Sequence, residues 1–276
     1  LGRHDEAVTE GEVLWEKGSP GWHGEATGIG AGEPGPPEDR GAPAPPPEVR
    51  WASRPRRRVL PHRSPSGLEG GGAMDLSRVL DLSPGREEAR RRGDVVHAWC
   101  RLVGWLDEDG IPPQATLGET ARRVAPEMTP AWIESLAEEF GAWLKAPEVE
   151  ASLSREEAAR WARSRAEAPV LDLQRESPFA VRLGEEIVEG VIDRLVLARD
   201  REGTGGSEAA AVAARILDFK TDAVDPGDDE TVEARIERYR PQLDAYRRAV
   251  ARIHGLDPET IEAALVFLGA GIVRPV

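Results

Sequence analysis

Ala209-Ala210-Ala211-Val212-Ala213-Ala214-Arg215-Ile216-Leu217-Asp218-Phe219 is a run of small and β-branched residues that closes on Lys220-Thr221. It reads as a buried strand carrying a carboxylate near its end. The lysine two residues after that carboxylate is unusual for this chain. Of its 36 basic side chains only Lys17, Lys145 and Lys220 are lysines. Lysine is a compact point charge whose pKa moves readily, a chemistry that the arginine used elsewhere does not supply.

The period-2 pattern extends upstream. Val170–Leu183 is strand-like, Gly184-Glu185 is a turn, and Ile187–Leu197 is strand-like again, which predicts a hairpin. A polar, Gly-rich loop over Asp200–Glu208 joins the hairpin to the third strand. Downstream, Pro226-Gly227 marks a turn and helix follows, with Pro241 near the start of its stronger part and Gly255 as its stop after about His254. Ile261–Leu268 closes as an apolar strand.

Before the hairpin the spacing is helical. Residues 86–109 carry Val95, Val96, Trp99, Leu102, Val103 and Leu106 in one stripe. Thr116–Val124 and Pro130–Leu144 read as two further helices, and Ser154 with Glu157 is a capping box opening a fourth, ending near Arg165. The order predicts an α/β (α+β) domain: a small mixed sheet flanked by helices, with an N-terminal helical segment. The domain is drawn as 74–276, with a helical part over 74–167 and the sheet and its helix over 168–276. Residues 1–73 are rich in Gly and Pro, too poor in apolar surface to offset ordering entropy, and read as a low-complexity linker. Trp15, Trp22 and Trp51 within it are candidates for docking on a neighbouring surface.

Composition narrows the chemistry. A single cysteine, Cys100, excludes a disulfide framework, a Cys-rich zinc site and a four-Cys iron–sulfur cluster, and fits a reducing, cytoplasmic setting. No apolar run is long enough to span a membrane. The net charge of −14 argues against a protein that finds nucleic acid by general attraction, although arginines cluster at 54–58, 90–92 and 235–252. The start at Leu1 suggests a piece of a larger polypeptide.

Three acidic residues lie on the predicted strands: Glu176, Asp193 and Asp218. A carboxylate on a core strand is costly unless paired or bound to a cation, and two from adjacent strands suit a hard divalent ion. The competing reading has each Asp cap a strand end or pair with Arg182, Arg194 or Arg215. His97, on the apolar stripe, is either a core histidine or a ligand. Gln242 and Tyr246 share a helix face with Tyr239 one turn earlier, a spacing that packing alone also explains.

Taken in order, Gly93-Asp94-Val95-Val96-His97, Arg175-Glu176-Ser177-Pro178-Phe179, Gly190-Val191-Ile192-Asp193, Asp218-Phe219-Lys220-Thr221-Asp222 and Tyr239-Arg240-Pro241-Gln242-Leu243-Asp244-Ala245-Tyr246 resemble the RecB-type PD-(D/E)XK nucleases. They are most similar to the C-terminal nuclease domain of AddA-type helicase–nuclease subunits, over about residues 64–276. The resemblance implies a restriction-endonuclease-like core and a metal-dependent DNA exonuclease acting in double-strand-break repair. It implies that His97, Asp193, Asp218 and the Phe219 carbonyl ligate Mg²⁺ or Mn²⁺, that Lys220 handles the attacking water and the phosphate charge, and that Glu176 stands at the site edge. Gln242 and Tyr246 would brace the site or touch the DNA backbone. A helicase motor and an AddB-like second subunit would be partners. These residues contain no phosphate-binding G-x-x-x-x-G-K-[ST] loop and so no nucleotide site of that kind, and no iron–sulfur cluster is implied.

Overall fold

The computed structural model describes residues 60–68, 84–200 and 209–276. Six strands form one mixed sheet: β1 (His62–Arg63), β2 (Pro169–Leu183), β3 (Glu186–Asp200), β4 (Ala210–Lys220), β5 (Ile261–Phe267) and β6 (Ile272–Pro275). The helices are α1 (Pro84–Cys100), α2 (Leu106–Asp109), α3 (Gln114–Val124), α4 (Pro130–Leu144), α5 (Pro147–Leu153), α6 (Arg155–Arg163) and α7 (Asp229–His254). The predicted α/β class holds, and among the described residues no helix is long and apolar enough to cross a membrane.

β2 and β3 form the hairpin, antiparallel from Pro169↔Asp200 to Leu183↔Glu186. Because β2 occupies one edge of β3 throughout, β1 and β4 share the other: β1 pairs in parallel at Ile187 and Val188, β4 antiparallel from Arg194 to Asp200. β4 and β5 are parallel, a pairing that needs a long crossover, and α7 supplies it. Pro178 sits on β2, which among the described residues pairs with β3 alone, and an edge strand of this kind is where proline is tolerated.

Helices cover both faces. Leu217 and Phe219 of β4 and Val266 of β5 pack under α1, α3, α4 and α5, with Trp99 against Phe140 at 5.3 Å between ring centroids. The alternate residues Ala214, Ile216, Leu265 and Phe267 face α7. α6 covers Val196, Ala198 and Ala213 with Trp161.

Several elements depart from the periodicity. The stripe over 86–109 is not one helix: α1 ends at Cys100, and the freed carbonyls of Leu102, Val103 and Gly104 accept hydrogen bonds from Arg175 (3.3 Å) and Arg194 (3.0 and 2.8 Å). Pro241 lies inside α7 and not near a helix start. Interior proline costs about 3 kcal/mol in a helix, and the buried face from Val232 to Val250 outweighs it. The short α5, β1 and β6 have too few residues for a period to show. Residues 60–68 of the compositional linker belong to the fold, through β1 and a 3₁₀ turn over Pro65–Leu68. The rest of that linker, with its three tryptophans, lies outside the described residues.

Ser154 caps α6, its Oγ accepting from Glu157 N at 3.3 Å, but the box is half formed: the Ser154 N–H donates to the Ala151 carbonyl and the Glu157 carboxylate accepts from Arg160. A second cap comes from α2. Asp107 accepts from Ser154 Oγ (2.8 Å), Arg155 N (2.7 Å) and Glu156 N (3.0 Å), donors that the first turn of α6 would otherwise leave open. Slight burial pushes the Asp107 carboxyl up, but these hydrogen bonds outweigh it and hold its pKa below the ordinary value. Such a group contributes stability above its unfolded pKa and loses it as pH falls through the depressed folded one. Asp107→Ala is therefore expected to lower unfolding free energy by about 1 kcal/mol at pH 7. Urea titrations should show the gap between variant and parent closing in strong acid.

Candidate metal centre

The β3–β4 ladder stops at Arg194↔Leu217. One step on, Asp193 and Asp218 stand opposite each other where the strands part. Asp193 Oδ2 accepts the Phe219 backbone N–H at 2.8 Å, a side chain standing in for the missing rung. Its Oδ1 lies 3.4 Å from His97 Nδ1 on α1. Strand alternation puts Leu217 and Phe219 on the α1 side and Asp218 and Lys220 on the α7 side.

There Lys220 is held from three directions. Its Nζ is 2.7 Å from Asp218 Oδ2, donates to Gln242 Oε1 at 3.0 Å, and lies 4.1 Å from the centre of the Tyr239 ring. Gln242 Nε2 donates to the Tyr246 hydroxyl (3.0 Å), which donates to the Val191 carbonyl (2.9 Å). Phe179 meets Tyr246 edge-on at 5.9 Å. A Cβ at Gly190 would crowd Pro65 (3.0 Å) and the Phe179 ring (3.3 Å), which would have to give by a few tenths of an ångström.

Glu176 has φ +50°, the left-handed region that a residue with a Cβ rarely adopts. Register is unchanged on either side, Arg175↔Arg194 and Ser177↔Ile192, so Glu176 faces Asp193. One ligand atom each from His97, Glu176 and Asp193 lie within 4.8 Å of one another. The backbone strain, of order 1–3 kcal/mol, accompanies a carboxylate brought into that cluster.

The electrostatics fit crowded negative charge. Burial, then the neighbouring Asp193, push the Asp218 pKa up to about 7 despite Lys220. Burial and Asp193 also raise Glu176. For His97 burial works downward, but the hydrogen bond and charge of Asp193, with Asp218 behind it, outweigh burial and raise it. Arg194, only 1% exposed, makes no bond to these carboxylates. It donates to two carbonyls and lies 5.0 Å from the Trp105 ring, and burial, then Arg175, lower its pKa to about 10. Arg215 pairs with Glu262 (3.0 Å) and Arg182 bonds the Gly184 carbonyl. The reading in which these arginines neutralise the strand carboxylates is overturned.

The family profile of the PD-(D/E)XK nuclease superfamily matches residues 75–276, which is most of the chain and all of this site. The chain belongs to that superfamily. Its mixed sheet with helices on both faces is the restriction-endonuclease-like arrangement, and the chemistry of the superfamily is metal-dependent hydrolysis of phosphodiester bonds. Asp218-Phe219-Lys220 reads as the D-x-K of the family name, with Asp193 as the acidic residue before it. No curated protein matches the chain.

An imidazole nitrogen and two carboxylates this close fit a divalent cation. Asp218 Oδ2, buried beside Lys220 but without a well-formed hydrogen bond, adds an acceptor that a nuclease could use for the same charge. The tight cluster holds Glu176, which the sequence reading placed at the site edge. It does not include Asp218, which leans to Lys220. Phe219 touches the site through its N–H. His254, in the last turn of α7, has its pKa lowered by burial, then Arg199. The bond from the Tyr239 hydroxyl to Asp222 Oδ2 (2.5 Å) and the contact of its ring with Lys220 were not legible beforehand. Helical spacing to Gln242 was the only signal.

Metal binding needs His97 neutral and Glu176 ionised, and both are shifted so that protons compete. Calorimetry should find Mn²⁺ bound more tightly at pH 8 than at pH 6, and Glu176→Gln or Asp193→Asn should weaken it at least about tenfold. A carboxyl raised on folding binds its proton more tightly in the native state, so its stabilisation is present below the unfolded pKa and lost as pH rises through the folded one. Metal-free protein is accordingly expected to lose thermal stability between pH 5 and pH 8, and Asp218→Asn should flatten that slope.

Proposed function

We propose that this domain is a DNA exonuclease that uses Mg²⁺ or Mn²⁺, and that it works with a helicase motor at double-strand breaks. The single observation that carries the hydrolytic part is Lys220, 9% exposed, immobilised by Asp218, Gln242 and Tyr239 beside the His97–Glu176–Asp193 cluster. A buried lysine fixed by three partners next to clustered carboxylates has the geometry of a group that must meet a phosphate or a water in one position.

His97, Glu176 and Asp193 would hold the cation, with Asp218 and the Phe219 carbonyl as further oxygen donors. When bound, such an ion polarises a phosphoryl oxygen and acidifies a water. The chain's own contribution is placement. Lys220 Nζ orients the water or takes up charge developing on the phosphate. Gln242 and Tyr246 fix Lys220 through the chain that ends at Val191, and Asp193 ties β3 to β4 through Phe219. In hydrolysis the water oxygen bonds to phosphorus as the bond to one bridging oxygen breaks, and a proton passes to the leaving oxygen.

The exonuclease and helicase parts rest on the motif order of AddA-type subunits and on charge. A chain of net charge −14 attracts DNA weakly by itself, so delivery by a motor and an AddB-like partner accounts for how substrate arrives. A non-catalytic scaffold would leave the strained Glu176 and the threefold-held lysine without a role.

End-labelled single-stranded DNA incubated with Mg²⁺, Mn²⁺ or EDTA tests this. Cleavage should need the cation and fall by about 10²–10³-fold in Lys220→Ala and Asp218→Ala. Linear strands should be shortened from an end and circular single strands spared. Cutting of circles would remove the exonuclease reading, and full activity in purified Lys220→Ala would remove the site.

A further inference from the structure

We propose that Arg90 on α1 and Arg238 on α7 form a phosphate clamp on the walls of the cleft leading to Lys220, gripping the backbone of the nucleic-acid strand next to the bond being cut. This rests on the nuclease reading above and names how the same site holds its substrate.

The cleft is open and about 1220 Å³. His97, Phe219, Lys220 and Tyr239 lie on it, so it is continuous with the candidate metal centre. Its arginines are Arg90, Arg92 and Arg238. The chain carries 50 acidic residues against 36 basic ones. Arg91 forms an ion pair with Glu127 (2.7 Å), Arg92 bonds Glu139 (2.8 Å) and lies over Trp143 (5.1 Å), and Arg240 bonds Glu237 (2.6 Å). Of the cleft's three arginines, Arg90 and Arg238 differ from Arg92. Among the described residues neither has an acidic partner or a hydrogen bond, and they stand on different walls of the cleft.

Exposed Arg90 alone would carry nothing. Arg238 is the stronger half: it is partly buried, its Nε is enclosed with no acceptor, and its only contact of note is with the Tyr239 ring at 5.4 Å. That ring also carries Lys220 at 4.1 Å, so the two cations are set by one aromatic platform. The neighbouring carboxylates are occupied: Glu139 by Arg92, Asp222 by the Tyr239 hydroxyl and Arg235 (3.8 Å), Asp225 by the Gly227 N–H (2.9 Å). Asp94 is exposed on the rim. A half-buried guanidinium with unused donors, on the same cleft as Lys220, suits a phosphodiester oxygen, which takes a two-pronged guanidinium bond better than an ammonium one.

The test measures binding without cleavage: fluorescence anisotropy of a fluorescein-labelled single-stranded oligo-dT with the full chain in EDTA, over a salt series. Arg238→Gln and Arg90→Gln should each weaken binding about tenfold and lower the slope of log K against log salt by about 0.7, the loss of one phosphate contact to a single strand. Arg238→Lys should restore the slope but only part of the affinity. Arg123→Ala, an equal charge loss on α3, should leave the slope unchanged. An unchanged slope in Arg238→Gln, the same change in Arg123→Ala, or no binding by the parent overturns the clamp. The two readings fail separately: cleavage by the parent with unaltered slopes removes the clamp alone, and slope changes in a parent that never cleaves remove the nuclease reading alone.

Discussion

Everything at the site depends on two strands that separate while still buried. β3 and β4 stop pairing at Arg194↔Leu217, yet Phe219 remains in the core with a backbone N–H that must find an acceptor. The Asp193 carboxylate supplies it. That bond fixes one oxygen of Asp193, leaves the other facing His97, and holds open the fork in which Asp218 and Lys220 stand. Loss of this acceptor would both orphan a buried donor and release the carboxylate, so structural and chemical demands fall on one side chain.

The second constraint is charge in a dry place. Asp218 is 2% exposed and Lys220 9%. Neither is satisfied by bulk water, and the lysine is spread over a carboxylate, an amide and an aromatic face. Ion pairs that are taken out of water gain little unless every remaining donor is met. The Gln242–Tyr246–Val191 chain meets them here, anchored by Phe179. Arg194 shows the contrasting solution. It neutralises none of the neighbouring carboxylates and donates through its two terminal nitrogens to backbone carbonyls, which leaves the negative charge of Glu176, Asp193 and Asp218 available to a cation.

Local rules were legible where a single segment decides the outcome. The N-cap at Ser154, the hairpin about Gly184-Glu185 and the proline at the head of α4 each depend on residues a few positions apart, and each is formed. Where a distant partner competes, the local reading fails. The stripe that suggested a helix to 109 is cut at Cys100 because Arg175 and Arg194, some ninety residues or fewer downstream, claim the carbonyls that follow. Pro241, a break by propensity, is overruled by a face of α7 buried along the sheet. β1 and β6 are recognisable only as partners of other strands.

The sequence by itself determined the α/β class, the strands that carry Asp193, Asp218 and Lys220, and the family whose motif order they follow, because period, caps and residue type are local properties of the chain. Tertiary structure alone decided which acidic residues gather. Glu176 joins His97 and Asp193 through a strained backbone opposite Asp193, whereas Asp218 turns to Lys220. It also decided that Tyr239 is the platform for Lys220 and that Arg90 and Arg238 lack acidic partners among the described residues. Such choices depend on which charges meet across the sheet and how deeply they are buried, and neither distance nor dielectric is written in the order of residues.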